Sequence, residues 1–339
     1  MTSTIEHLVS VDGTDVRFVC AEGDTLLRAA LRAGVGLGYE CNSGSCGSCR
    51  YQLLSGTVHD RRPEAPGLSA RDRRRERRLA CQSEPTAPCT IRVGGLAGPV
   101  VHRPVRCTAE LRAVQPLTRD MSEFVFVADH PARFRPGQYA MIKIPGVPQE
   151  RAYSMSNLGN PYGEWRFVIK RVAGGAGTTV LFDELSPGAR VVIDAPYGHA
   201  YLRDDDRQIV CVAGGSGLGA MVSVVNGLAA MPDAGQRTAR VFYGGRTPID
   251  ICRPAAFDLA ATRLGALHFH PVVSEPQTAT GGPWRPGFVH EAVGEVLGST
   301  LTEFSYYAAG PPAMTDALAR LLVLTGGLDA DRLHYDRFL

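Results

Sequence analysis

The sequence predicts a multidomain chain of mixed α+β and α/β class: a small α+β unit, then an antiparallel β-barrel, then a parallel α/β sheet. Three observations predict it. At 339 residues the chain is too long for one ordinary domain. Its middle third reads as short strands punctuated by Pro136-Gly137 and Pro187-Gly188, the pattern of a small antiparallel barrel. Its last third turns to continuous apolar runs alternating with helical stretches, which is how strands buried on both faces read.

In chain order, residues 7–20 alternate as two short strands around the turn Asp12-Gly13-Thr14, and Asp24 is placed as the N-cap of a helix carrying Leu26, Leu27, Ala30 and Leu31. Residues 51–54 form a strand closed by Ser55-Gly56, residues 91–93 another, and the glycine-rich stretch 94–99 marks the first boundary. Barrel strands are expected at 124–127, 139–144, 165–170 and 191–194. Parallel strands are expected at 209–213, 241–243 and 306–309, with helices over 221–230 and 317–324. There is no internal repeat and no long low-complexity segment.

Charge is nearly balanced, with Lys+Arg 36 against Asp+Glu 34, so nothing in the total asks for nucleic acid or an acidic membrane. No apolar run approaches the roughly 20 residues that span a bilayer, and the start lacks the charged and apolar regions of a signal peptide. A cytoplasmic protein is expected. There, nine cysteines do not form a disulfide framework, and a tight cluster among them reads as metal ligation or catalysis.

Cys41, Cys46 and Cys49 have the spacing C-x4-C-x2-C, and Cys81 follows after 31 intervening residues. This is the plant-type ligand pattern for a [2Fe–2S] cluster. Gly44 and Gly47 let the backbone curl, so that N–H groups point at the sulfurs and stabilise an anionic centre. The alternative is zinc, which favours paired C-x2–4-C knuckles, whereas here three ligands share one loop. Cys20, Cys89, Cys107, Cys211 and Cys252 sit in apolar or strand-like contexts and read as inert core residues.

Arg151-Ala152-Tyr153-Ser154 follows a barrel strand, where Tyr153 offers a stacking face, Arg151 a fork for a pyrophosphate and Ser154 a hydroxyl for a flavin nitrogen. Tyr153 and Ser154 are therefore the expected catalytic residues at the reacting ring. Singly, Tyr153 reads as a barrel aromatic and Arg151 as a solvated strand end. The stretch running through Ile169, Lys170, Gly175 and Thr178 resembles the second flavin segment of the ferredoxin-NADP reductase superfamily, with Thr178 where that superfamily has a hydroxyl.

Residues 209–213 run into Gly214-Gly215-Ser216-Gly217-Leu218-Gly219 and a helix, a tight turn that presents a helix N-terminus to phosphate. The spacing is not G-x-G-x-x-G; it resembles the pyridine-nucleotide motif of the same superfamily. That resemblance continues at Phe242-Tyr243-Gly244-Gly245-Arg246 and at Gly310-Pro311, where Ala309 replaces the cysteine common in the family. Asp250 suits a ribose 2′-hydroxyl and repels a 2′-phosphate, which Arg246 would tolerate; NADH is favoured and NADPH stays open. The alternative for Asp250 is a helix N-cap. At the carboxyl end Phe338, like Tyr335, either shields a flavin face or packs in the core.

Together the segments resemble the reductase components of bacterial multicomponent monooxygenases, those serving diiron hydroxylases of toluene, phenol, alkenes or methane; residues 63–70 carry the toluene-type likeness. The resemblance implies a β-grasp ferredoxin domain over 1–97, a FAD-binding barrel over 103–203 and an NAD(P)-binding α/β domain over 204–339. It implies FAD, a [2Fe–2S] cluster and NADH as cofactors, and an oxygenase partner reached directly or through a Rieske-type ferredoxin. Hydride carries two electrons and the cluster accepts one, so the flavin must stand between them. Reductases of Rieske dioxygenases share the domain order. A free-standing diaphorase or redox sensor, and an iron–sulfur protein with vestigial nucleotide segments, are the other readings. The basic run from Arg71 to Arg78 reads as a docking surface or as a solvated helix face.

Overall fold

The computed structural model describes residues 5–205, 207–275 and 282–338. Residues 1–4 and 339, which belong to the terminal readings above, lie outside them. The described residues form two compact units: one takes the chain to Arg106 together with Asp194–Tyr197, the other takes Cys107–Ile193 and Gly198–Phe338.

The first unit is a mixed five-stranded sheet in the order Arg17–Ala21, Glu6–Val11, Cys89–Val93, Arg50–Ser55, Arg77–Leu79. Glu6–Val11 and Cys89–Val93 run parallel; the other pairs are antiparallel. Helix Leu26–Arg32 buries Leu26, Leu27, Ala30 and Leu31, at roughly 1.5–3 kcal/mol for each leucine taken out of water. Its N-cap is Thr25 and not Asp24. Thr25 adopts the extended backbone, and its hydroxyl accepts from the Arg28 N–H at 3.4 Å. The Asp24 carboxylate is turned instead toward the Arg32 guanidinium, at 2.9 and 3.1 Å. Within this unit Asp194 is fully buried and faces Arg32 at 2.8 Å and Arg28 at 3.5 Å. Burial alone would raise its pKa, but the hydrogen bond and charge of Arg32, with Arg28 and Arg106 behind, hold it below the usual carboxylate value.

A six-stranded sheet, most of it in the second unit, follows the order Arg151–Ser154, Tyr139–Lys143, Arg190–Tyr197, Val105–Thr118, Met121–Ala128, Glu164–Lys170. A bridge between Met155 and Phe167 links the two end strands and closes the barrel. The chain then forms a second six-stranded sheet in which every pair is parallel, ordered Arg285–Pro286, Ala266–Val273, Thr238–Gly245, Ile209–Gly214, Ser305–Gly310, Leu333–Arg337. Helix Leu218–Ala229 follows the strand Ile209–Gly214, and all its residues except Asn226 are buried. It joins sheet to barrel: a Cβ at Gly219 would lie 3.0 Å from Val168, and Ser223 Oγ donates to the Asn157 carbonyl at 2.7 Å. The carboxyl ends of three neighbouring strands, at Gly214, Gly245 and Gly310, thus come together where an open parallel sheet binds ligands.

Candidate functional site

The cysteine loop is shaped by left-handed residues: Asn42 (φ 51°), Gly44 (φ 83°) and Gly47 (φ 80°). A side chain at Gly47 would overlap the Gly67 carbonyl, and the Gly67 N–H donates to the Gly44 carbonyl at 2.9 Å, so the loop is seated on the 65–67 segment. The curl turns the N–H groups of Ser43, Ser45 and Cys46 onto Cys41 Sγ at 3.4, 3.3 and 3.3 Å, and that of Ser48 onto Cys46 Sγ at 3.4 Å. Gln82 Nε2 stands 3.6 Å from Cys81 Sγ. The Cys41 thiol is held down to about 4, first by its hydrogen bond with Cys46 and then by Ser43, against the opposing effect of burial.

The four thiols form two contacting pairs, Cys41 with Cys46 and Cys49 with Cys81. Among the described residues no three His, Cys, Asp or Glu side chains gather at single-ion spacing. Two pairs beneath a canopy of N–H donors suit a cluster in which each of two irons takes two thiolates; one tetrahedral zinc would draw all four together. The remaining cysteines are unlike these. Burial pushes Cys20 up to about 12 and Cys89 and Cys252 to about 11, and Cys211 is fully buried.

On the barrel, Arg151–Ser154 is an end strand paired with Tyr139–Lys143, with Arg151 opposite Ile142 and Tyr153 opposite Ala140. The two-residue alternation puts Arg151 and Tyr153 on one face, both half-buried, and Ser154 on the other, buried. Burial pushes the Tyr153 phenol up to about 12, partly offset by Arg151. Arg151 crosses the glycine loop because Gly177 has no side chain; a Cβ there would meet Arg151 Cγ at 3.3 Å. Thr178 does not present a free hydroxyl. It accepts from the Val172 N–H at 3.2 Å and lies 3.1 Å from the Gly175 carbonyl, so it closes the loop that Gly175 opens as helix N-cap. Ile169 is buried opposite Ser122, and Lys170, opposite Met121, reaches Asp120 at 3.3 Å.

The glycine turn expected to receive the nucleotide starts at Gly215 (φ 56°), continues through Ser216 and Gly217 as a 3-10 turn, and enters the long helix at Leu218. Gly217 lies so close to the strand Ser305–Gly310 that a Cβ would overlap the Ala309 carbonyl oxygen. Lys170 spans the same turn: its Cδ is 3.6 Å from a Cβ placed on Gly215. Met314, in the helix that Pro311 caps, sits 2.9 Å from a Cβ on Gly214 and 2.8 Å from one on Gly310. A thioether thus lies beside the position where Ala309 stands in for the family's cysteine.

Asp250 is not a helix N-cap. Thr247 fills that place and Asp250 is the third residue of the capping box, its Oδ2 accepting from the Thr247 N–H at 2.9 Å and hydroxyl at 2.8 Å. Its Oδ1 has no hydrogen-bond partner, with Arg119 3.6 Å away. Arg246 is exposed, and its carbonyl accepts from the Glu275 N–H at 2.7 Å. Phe338 donates its N–H to the Gly310 carbonyl at 2.9 Å, and its half-buried ring packs on the core that contains Val168 and Ala309.

Three families match in the order the geometry gives: the 2Fe-2S iron-sulfur cluster binding domain over residues 9–86, the oxidoreductase FAD-binding domain over 108–201 and the oxidoreductase NAD-binding domain over 211–320. The ferredoxin–NAD(P)+ reductase CarAd of Metapseudomonas resinovorans is 38% identical over 325 residues, 94% of this chain and 96% of that one. The chain belongs to the ferredoxin–NAD(P)+ reductases. The reductase is also 39% identical over 330 residues, 95% of its length and 98% of the relative's, to the ferredoxin–NAD+ reductase component of an alkene monooxygenase system from Xanthobacter autotrophicus. Its fold superposes on the ferredoxin reductase of carbazole 1,9a-dioxygenase with a TM-score of 0.90, at 34% identity and complete coverage of both chains. It is an NAD(P)H-dependent oxidoreductase with a [2Fe–2S] cluster and FAD.

Asp120, which pairs with Lys170, and Glu275, beyond the end of the strand Ala266–Val273, were not read from the sequence. Glu275 follows the strand Ala266–Val273, which was not among the strands expected from the sequence. Asp120 depends on how the barrel strands pair, and carried no signal of its own.

Proposed function

We propose that the reductase takes electrons from NADH and delivers them one at a time to the oxygenase of a multicomponent monooxygenase. Bound FAD supplies the two-electron to one-electron conversion, and the protein supplies position and electrostatics. In this reading Cys41, Cys46, Cys49 and Cys81 hold the cluster within residues 1–97. Arg151, Tyr153, Ser154, Ile169, Lys170, Gly175 and Thr178 form the flavin site within 103–203, Thr178 by bracing its loop. Gly215, Ser216, Gly217, Arg246, Asp250, Gly310 and Pro311 receive the nucleotide within 204–339, and Phe338 closes the site from the last strand. The charge of Asp250, whose buried Oδ1 lies 3.6 Å from Arg119, supports NADH, because an anion at the end of the second strand repels a 2′-phosphate.

The observation that carries the partner is the surface around the cluster. Of the basic run, Arg73 is spent on the Ala65 carbonyl at 3.0 Å, Arg77 on Asp72 at 3.2 Å and Arg78 on Asp60, while Arg71, Arg74 and Arg75 are exposed. A hollow of about 530 Å³ opens beside Cys49, with Arg50, Arg77 and Arg92 on its walls. Such a face suits an acidic electron acceptor. The likeness to the carbazole dioxygenase reductase supports a second reading, in which the acceptor belongs to a Rieske-type system.

Reconstitution with purified hydroxylase components of a diiron alkene or toluene monooxygenase, and separately with those of a Rieske dioxygenase, decides between them by which supports NADH-driven product formation. With the productive partner, Arg74→Glu and Arg75→Glu together are expected to slow electron delivery about ten-fold at low salt and to flatten its ionic-strength dependence. A salt series identical to that of the unaltered protein would remove these arginines from docking.

A further inference from the structure

A charged group of the flavin barrel lies against the nucleotide turn. Lys170, the last residue of the strand Glu164–Lys170, extends along Gly215 and places its ammonium 3.3 Å from Asp120 Oδ2. Asp120 is fixed from three sides. Thr118 Oγ1 donates to its Oδ1 at 3.0 Å, Lys170 takes its Oδ2, and its own carbonyl accepts from the Arg171 N–H at 2.7 Å. The carboxylate is therefore carried by a braced two-residue hairpin turn, between the strands Val105–Thr118 and Met121–Ala128. Next in the same turn, Arg119 faces Asp250. Two cations and two anions thus balance around the hairpin turn at Arg119 and Asp120.

We propose that Asp120 is a positioning residue for the pyridine nucleotide: it holds the Lys170 ammonium over the Gly215–Gly217 turn and, by sharing that charge, limits how tightly the phosphates are gripped. This rests on the reading that the Gly215–Gly217 turn receives the dinucleotide, and it gives Lys170, placed above at the flavin site, a second role toward the nucleotide phosphates. Lys170 and Asp120 are both only part-buried, 36% and 28% exposed, so the pair is loose enough for a pyrophosphate to compete with the carboxylate for the ammonium. A site of net positive charge would hold product as well as substrate; the carboxylate favours release by taking the ammonium back. The effect is larger for a nucleotide bearing a third phosphate, so Asp120 also weighs against NADPH.

The test uses the purified holoprotein with Asp120→Asn, Asp120→Glu and Lys170→Ala. Asparagine keeps the Thr118 contact and removes the charge. It is expected to lower KM for NADH and the Kd of NAD+, read from the flavin spectrum, about three- to five-fold, to lower KM for NADPH more, and to steepen the dependence of KM on salt. Asp120→Glu is expected to restore all three. Lys170→Ala is expected to raise KM for both nucleotides. If Asp120→Asn raises KM or leaves it unchanged while Lys170→Ala raises it, the role of Asp120 falls and the nucleotide site stands. If Lys170→Ala leaves KM unchanged, the placement of the dinucleotide falls and takes the proposal with it. Flavin and cluster absorbance at one per chain checks that each variant is folded.

Discussion

Replacing Cys81 with serine is expected to abolish the iron–sulfur absorption and leave NADH-driven bleaching of the flavin within about two-fold of the unaltered rate, because hydride reaches the flavin before any electron reaches the cluster. Cys81 is the one ligand outside the loop, and it is buried against Cys49. Its loss leaves one iron with a single cysteine, and a serine oxygen is a poor exchange for a soft thiolate, so cluster occupancy should fall by more than about 100-fold. The flavin should be indifferent, since the residues at its proposed site and at the nucleotide turn all lie in the second unit. Iron and sulfide analysis with a stopped-flow trace at the flavin band checks both halves. A variant that keeps its cluster would break the ligand assignment.

Gly217→Ala is the second large effect. A methyl at 217 would overlap a backbone oxygen, that of Ala309, in a strand fixed by hydrogen bonds on both edges. The oxygen cannot swing away as a side chain would, so the turn must move. Displacing a positioning element by about 1 Å costs on the order of 100-fold, and kcat/KM for NADH is expected to fall by that much. Overpacking of this kind also destabilises by about 1–3 kcal/mol. The cluster and flavin spectra should persist, which separates a broken turn from an unfolded protein. Gly214 is a useful contrast: a methyl there meets side-chain atoms, Met314 Sδ at 2.9 Å and Pro311 Cδ at 3.1 Å, and no backbone oxygen, and should be tolerated better.

The reach of the sequence differed from element to element. The cysteine spacing sufficed for the cluster, because a metal centre needs particular residues at particular intervals and the glycines that bend the loop are visible beside them. The barrel and the parallel sheet were legible because burial on one face or two imposes different periods. The cap was misplaced by one residue because Asp24 and Thr25 are both good caps, and the choice fell to Arg32, eight residues on, which claimed the aspartate. The alternative reading of Asp250 as a cap fails for a similar reason. Thr247 takes that place, and the carboxylate serves from inside the box. Thr178 carried a hydroxyl where one was expected, yet the loop uses it internally. Asp120 was invisible because its partner lies 50 positions away and the pair exists only through the pairing of Met121–Ala128 with Glu164–Lys170.

The central claim is that one chain carries electrons from a nicotinamide through a flavin to a [2Fe–2S] cluster. An anaerobic titration of the purified protein with NADH, followed across the visible spectrum and repeated with NADPH, tests it most directly. The account predicts overlapping flavin and iron–sulfur bands that both bleach, complete after about one and a half equivalents of NADH, two electrons for the flavin and one for the cluster. NADPH should act more weakly. Bleaching of the flavin alone, with the cluster band untouched at any ratio of NADH, would contradict it.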